Sequence, residues 1–528
     1  MSWTTLKNSC QSWWNYRPLH VIIIGAIFVR VWAAFASPGY LMIDDHFLTV
    51  EVAGSWAVGE NNGNWIPGWG NQDKVVEGFS FLYPGVSFAF YKTMHTLGFH
   101  DPQFQQLIFR ILHGLWSVLT VFYVFKLAER LGNKKVAVTA GLLMAFLGVM
   151  PLYAVRNLVE LFGHPFIIGG LYYLSFPERK KWMLGALFLG LAVGVRYQNA
   201  WIPIGWGIAY FLLGQWKRVI SVACIAFAAF FMTQIDDVLL WGGKPFQHVY
   251  GYLHYNATHS GNYPGSPFTY FGWIGYFILP PVSLFLLWGA VSPLFRGKWK
   301  VTVNHPMVYG LLGAFFMFTV FHIVFPNRQE RFLFPILPVF IVLGSWGWSQ
   351  WVESRGLQEH RGIANGWKFF WILNTLFLIV ASNIYPKKSR VESMYALYQY
   401  GDAKNFVQDY AHKDSNPLAP KYYAGLWSEY YTFSNQDNLD ELVRVFDDVD
   451  RNTANEVHHR LYPNYVLFYQ DVNLEQRVAA WKKYYPHLTY CTTVEPSYFD
   501  IIMQKINPVN SLENVTIYRI PAEDIKDF

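Results

Sequence analysis

The sequence predicts an all-α membrane protein with a small soluble α/β domain in its C-terminal part. Three observations predict it. The 528-residue chain is 53% hydrophobic and 19% aromatic but only 14% charged, too apolar for an ordinary soluble protein. Apolar runs long enough to cross a ~30 Å hydrocarbon core recur along the chain. Mean hydropathy is nevertheless only slightly positive, so a sizeable polar part dilutes the membrane part.

The runs fall near residues 19–37, 107–127, 136–152, 162–176, 182–197, 199–214, 219–235, 271–292, 306–325, 332–350 and 367–386. About eleven transmembrane helices are therefore expected. Leu19–Pro38 has no small-residue cleavage site and reads as a retained first helix. After residue 387 the composition turns soluble: Tyr465–Tyr469 is a β-type run, Leu474–Tyr485 reads as a helix, and Val515–Ile520 alternates like a strand. The expected division is a membrane domain over 1–386, with a long outer loop at 38–106, and a soluble domain over 387–528. There is no internal repeat or low-complexity segment.

The net charge of +6 is small for this length, and the basic residues sit in short clusters between apolar runs, which excludes nucleic-acid binding. The clusters at Lys126–Lys135, Arg179–Lys181, Lys217–Arg218, Arg296–Lys300 and Arg355–Lys368 fall in every second loop. Basic loops stay in the cytoplasm, so the remaining loops and the tail are expected on the opposite face. The three cysteines, Cys10, Cys224 and Cys491, suggest no disulfide framework and no zinc site. No metal or cofactor is expected.

The unusual polar residues gather on that outer face. Pro326–Pro338 places Arg328, Glu330 and Arg331 between two apolar runs. A charge at the bilayer centre costs about 2.5–3.5 kcal/mol on insertion scales, so this cluster marks either a short interfacial loop or a functional pocket. Met42-Ile43-Asp44-Asp45-His46-Phe47 follows the first helix with adjacent carboxylates. One aspartate suffices as a general base on a sugar hydroxyl. The competing reading is an N-cap for His46–Val58. Arg156 and Glu160, at i, i+4 spacing, are either an intramembrane ion pair on one helix face or part of a site. Arg196 ends a later run on the same side, and clustered arginines suit a lipid phosphate because guanidinium grips phosphate oxygens as a fork. His254–Gly265, which includes His259, is either a turn-rich loop or a sugar-binding one. Glu77 stands out among the interfacial aromatics of the long loop.

Taken in order, these segments resemble the polytopic mannosyltransferases that use a dolichyl-phosphate sugar, glycosyltransferase family 22, which assemble N-glycans and GPI anchors. That family carries His-Pro-Asp-Glu after its first helix, matched here by Met42–Phe47, and His-Lys-Glu-Glu-Arg-Phe late in the membrane domain, matched by Asn327-Arg328-Gln329-Glu330-Arg331-Phe332. Arg156 and Glu160 fit a shortened arginine–glutamate motif, Ser260–Pro280 is similar to the family's turn before an aromatic run, and Val76-Glu77 with Ser80–Pro84 echoes its Trp-Glu segment. The chain departs from the pattern at Asn327, Gln329 and Phe79, and lacks His-Pro before Asp44.

The resemblance implies a GT-C fold and inverting transfer of a hexose, with mannose first, from a polyprenyl-phosphate donor to a glycan, glycolipid or protein acceptor. Asp44 would be the base, with Asp45 orienting it or the sugar. Arg156, Arg196, Arg328 and Arg331 would hold the donor phosphate. Glu77, Glu160, His259, Asn327, Gln329 and Glu330 would bind or orient substrate, Glu330 by pairing with an arginine. The expected location is a bacterial inner membrane with a periplasmic site, with the endoplasmic reticulum and its lumen as the alternative. Two other readings stay open: a transporter or flippase of lipid-linked glycans, which should place charges mid-helix in repeated halves, and a noncatalytic membrane subunit.

Overall fold

Each of the expected apolar runs folds as helix in a computed structural model, which describes residues 14–60, 80–239, 244–259, 265–266, 268–295, 306–411, 418–434, 437–447, 461–506 and 514–525. Among the described residues, five helices are long and apolar enough to cross a membrane: Pro18–Ala36, Pro102–Leu131, Pro306–Val324, Glu330–Ser354 and Arg361–Ala381. Others lie at or below the short limit, such as Arg179–Val195 and Trp216–Met232, each 17 residues. Two runs are interrupted. The run at 271–292 splits into Thr269–Phe277 and Val282–Val291 around Pro280-Pro281, where the rings deny the helix its N–H donors. The run at 136–152 stops at Phe146 and resumes as Met150–Ala154 with Pro151 in its first turn. Apolar side chains such as Ile372, Leu376 and Ile379 on Arg361–Ala381 face outward, as a lipid-facing surface requires.

The chain divides into two compact units. The first comprises Met1–Phe35, Asn64–Val86 and Arg110–Asn383. Its helices approach closely at small residues: a Cβ on Gly205 would strike the Gly313 carbonyl, and one on Gly289 the Gly344 carbonyl. Arg30 is fully buried here, and its guanidinium is satisfied by Ser117 Oγ at 2.7 Å and by the carbonyls of Ala145 and Met144 at 3.0 and 3.2 Å.

The second unit comprises Ala36–Gly63, Ser87–Phe109 and Ile384–Phe528, so two stretches of the long loop region belong with the C-terminal part. Among the described residues its sheet has five strands: β1 Phe406–Tyr410, β2 Tyr431–Ser434, β3 Tyr465–Tyr469, β4 Thr489–Val494 and β5 Val515–Arg519. The order is β2-β1-β3-β5-β4. β1 runs parallel to β2 and β3, whereas β5 pairs antiparallel with β3 and β4. The expected runs at 465–469 and 515–520 are the neighbours β3 and β5, and the expected helix is Leu474–Lys482. β1 is buried along its whole length. Its Asp409 carboxylate takes hydrogen bonds from Arg477 Nε at 2.8 Å and Trp481 Nε1 at 2.6 Å. Desolvation raises this carboxyl above the usual range against the pull of Arg477.

Candidate active site

Asp44 and Asp45 lie in the second unit on one helical turn, Ile43–Asp45. That turn runs into a π-helical turn, His46–Val50, and then the helix Glu51–Val58, which ends at Gly59 with φ +92°. π-turns are rare and recur at functional sites. Neither aspartate caps the following helix: no side-chain cap bond forms at either helix start, and Asp45 itself has helical backbone angles. The capping alternative therefore fails, because the chain is already helical at the aspartates. Asp45 is buried and Asp44 is partly exposed.

The residue after the pair fixes this turn. His46 Nε2 lies 2.9 Å from Glu51 Oε1, and the same carboxylate accepts the Tyr422 backbone N–H at 2.9 Å. The His46 ring is stacked between Tyr40 at 4.4 Å and Tyr423 at 5.5 Å. Lys387, in a left-handed conformation with φ +56°, holds its ammonium 4.5 Å from the Tyr40 ring. Its backbone N–H donates to Asp500 at 2.8 Å. Burial, helped by Arg390, lowers the Lys387 ammonium to about 8, while Asp45, Asp500 and Asp44 oppose the shift. His46, Glu51 and Lys387 were not singled out from the sequence, although His46 adjoins the aspartates in the matched motif.

The arginines divide differently from the expectation. Arg156 and Glu160 do not share a helix face: the chain leaves the helix Met150–Ala154, passes through buried irregular backbone with Leu158 extended, and makes a separate turn at Val159–Phe162. Irregular backbone is tolerated at membrane depth only when protein encloses it, which holds here. Arg156 is buried. Glu160, fully buried, meets two other arginines: Arg196 Nη1 lies 2.9 Å and Arg331 Nε 3.8 Å from Glu160 Oε1. Arg196 reaches it because Arg179–Val195 ends there and the Arg196 backbone turns extended. Gln198 accepts from Arg196 at 2.7 Å and Gln329 from Arg331 at 2.9 Å. Phe332 underlies both guanidiniums, at 5.2 Å from Arg196 and 5.6 Å from Arg331. Tyr252 faces the cluster and bonds Gln198.

Among the described residues, no ion pair to Glu330 forms, so the expectation that it fixes an arginine is corrected: Glu160 does this. Glu330 starts a short 3-10 helix, Glu330–Ile336, which His164 Nε2 anchors through the Phe334 carbonyl at 2.6 Å. Arg328 is held by backbone carbonyls, at 2.8 Å from Ile323 and at Gly265. Asn327 is half-buried in the link after Pro306–Val324. His259 is exposed at the end of the helix Gln247–His259, so half of the expected sugar loop is helical; residues 260–264 and Glu77 lie outside the described residues. Among the described residues no acid–histidine–cysteine group of metal-binding type occurs.

Comparison with known proteins agrees with this architecture. The chain is similar to Mannosyltransferase APTG1 of Arabidopsis thaliana, 22% identical over 420 residues that cover 74% of this chain and 71% of that protein. Its fold is similar to ArnT from Cupriavidus metallidurans, solved bound to undecaprenyl phosphate, with a TM-score of 0.58, 12% identity, and coverage of 97% of this chain and 100% of the other. It is also similar to the Archaeoglobus fulgidus oligosaccharyltransferase, with a TM-score of 0.55, 12% identity, and coverage of 89% and 72%. Residues 21–434 match the sequence profile of the Alg9-like mannosyltransferase family. The chain belongs to that family and is an integral-membrane glycosyltransferase of the GT-C fold.

Proposed function

We propose that this enzyme transfers mannose, with inversion, from a polyprenyl-phosphate donor to a hydroxyl of a glycan, glycolipid or protein acceptor. The observation that carries the reading is the buried cluster at Glu160. Two guanidiniums share one carboxylate among helices of membrane type. The cluster gathers two guanidiniums in one buried place, which suits a phosphate anion. An apolar pocket in the same unit, lined by Tyr270, Ile274, Phe315, Thr319, Ile323 and Leu333, has the character that an isoprenoid chain needs. ArnT, which shares the fold, was solved with undecaprenyl phosphate.

In this reading Asp44 takes the proton from the acceptor hydroxyl as its oxygen attacks the anomeric carbon. The bond from that carbon to the phosphate oxygen breaks on the opposite side, and the polyprenyl phosphate leaves with its charge held by Arg196 and Arg331. His46 and Glu51 keep the Asp44 turn in one conformation, Asp45 and Lys387 set the charge beside it, and Glu160 sets the forks of the two arginines. Arg156, Arg328, Gln329 and Asn327 serve the donor, and Glu77, His259 and Glu330 serve either substrate. The site faces away from the cytoplasm, in the bacterial periplasm, with the lumen of the endoplasmic reticulum as the second compartment. The acceptor comes from the bilayer or its surface.

The test is transfer by the purified protein in proteoliposomes, using a set of polyprenyl-phosphate hexoses and a mixed acceptor pool. Mannose transfer is expected, and Asp44→Asn should abolish it with the melting temperature unchanged. Full activity in Asp44→Asn sinks the base assignment. Movement of lipid or sugar across the bilayer without transfer supports a flippase instead.

A further inference from the structure

The helix Pro306–Val324 carries a buried histidine that neither the sequence motifs nor the mechanism above uses. His322 is 2% exposed. Its ring stacks on Phe318 at 4.1 Å and lies 6.3 Å from Phe332. Phe332 is the same ring that underlies Arg196 and Arg331. Arg196 is near enough to act electrostatically on the imidazole. His322 thus borders the cluster assigned to the donor phosphate.

The hydrogen bonding of the ring fixes what it can recognise. Nδ1 lies 2.8 Å from the Phe318 carbonyl oxygen. A carbonyl only accepts, so Nδ1 carries the proton, and in the neutral ring Nε2 is left as an acceptor. Nε2 is buried, and among the described residues no donor reaches it. A buried acceptor without a partner keeps its desolvation penalty, so a ligand that supplies a donor there is favoured over one that does not. The guanidinium of Arg196 near the ring attracts an anion, but an anionic phosphate oxygen has no proton to give to Nε2. A hydroxyl has one.

We propose that His322 is a specificity-determining residue that accepts a hydrogen bond from one hydroxyl of the donor sugar while the arginines hold its phosphate. The inference rests on the function proposed above. It assigns the sugar and the phosphate of the donor to different groups of one cluster, which makes the two recognitions separable.

The experiment compares kcat/KM for polyprenyl-phosphate mannose and its monodeoxy analogues in the wild type, His322→Gln and His322→Leu, each checked for folding by gel filtration and melting. The wild type should disfavour one deoxy donor by roughly 10–100-fold, the worth of one buried hydrogen bond. His322→Leu should use the normal and that deoxy donor about equally, and His322→Gln, which keeps an acceptor, should retain part of the preference. Binding of sugar-free polyprenyl phosphate should be unchanged in His322→Leu and weakened in Arg331→Gln. If His322→Leu does not fold, His322→Gln alone decides the question by a reduced preference for that same hydroxyl. A deoxy-donor pattern identical in wild type and His322→Gln overturns the proposal while leaving the enzyme assignment standing. Absence of transfer by the wild type from every polyprenyl-phosphate hexose overturns both.

Discussion

Replacing Glu160 by glutamine removes the negative charge shared by Arg196 and Arg331 while keeping the side chain's shape. At an effective dielectric of about 20, unit charges at 2.9 and 3.8 Å attract by roughly 6 and 4 kcal/mol before desolvation. Much of that offsets the cost of burying the charges, and removing one member of a buried ionic group typically costs about 3–5 kcal/mol. Both arginine side chains are mostly buried, at 16% and 9% exposure, so water does not relieve the repulsion that remains. Glu160→Gln should therefore lose about 3 kcal/mol or more in equilibrium unfolding in mixed detergent micelles. Adding Arg196→Gln should recover at least about 1 kcal/mol, because the second change removes a charge that the first left stranded. The double-mutant cycle separates this from a packing defect, which an additional substitution would not repair. A Glu160→Gln protein as stable as the wild type, or a double mutant with simply additive losses, would refute the claim that Glu160 organises the arginines.

Two further outcomes follow from the second unit. Arg477→Leu leaves the Asp409 carboxylate buried in β1 with Trp481 as its remaining side-chain donor, and should destabilise the full-length protein by about 3–5 kcal/mol; Asp409→Asn in that background should restore part of it, again read by unfolding. Lys387 provides a pH test. Its ammonium falls from 10.5 in the unfolded chain to about 8 in the fold, so between these values the unfolded state binds more protons and stability rises with pH. The difference in unfolding free energy between wild type and Lys387→Met should grow in favour of the wild type across that window, by up to about 3 kcal/mol, and be flat below it. A flat difference throughout would show that Lys387 is not desolvated.

The helical framework was legible because a membrane solvent demands long apolar runs, and every expected run carries helix. What the runs could not reveal is where they stop. Arg156 and Glu160 read as one helix face by spacing alone, yet burying several charges together required the chain to leave the helix between them. The sheet was half legible for a related reason. β3 is all apolar or aromatic, whereas β1 reads Phe-Val-Gln-Asp-Tyr and hides its burial behind Gln408 and Asp409, whose partners Tyr469, Arg477 and Trp481 lie more than sixty residues away. At the site, motif position drew attention to Glu330, but the acid with two guanidiniums beside it is Glu160. His46, Glu51 and His322 were invisible for the same reason: each acquires its meaning from a neighbour that only folding supplies.

The carboxylate of Glu51 carries a consequence for synthesis. It holds His46 five residues away and the Tyr422 amide 371 residues away. The aspartate turn therefore leaves the ribosome long before the partner that closes it has been made. At roughly 5–20 residues per second the wait is on the order of 20–70 seconds. During that interval the nascent chain can be inserted and its helices packed while the turn that carries Asp44 lacks its closing bond. Chains that terminate before Tyr422 would thus reach the membrane without the bond that closes the Asp44 turn, a safeguard that follows from how far apart in time the two halves of one hydrogen bond are made.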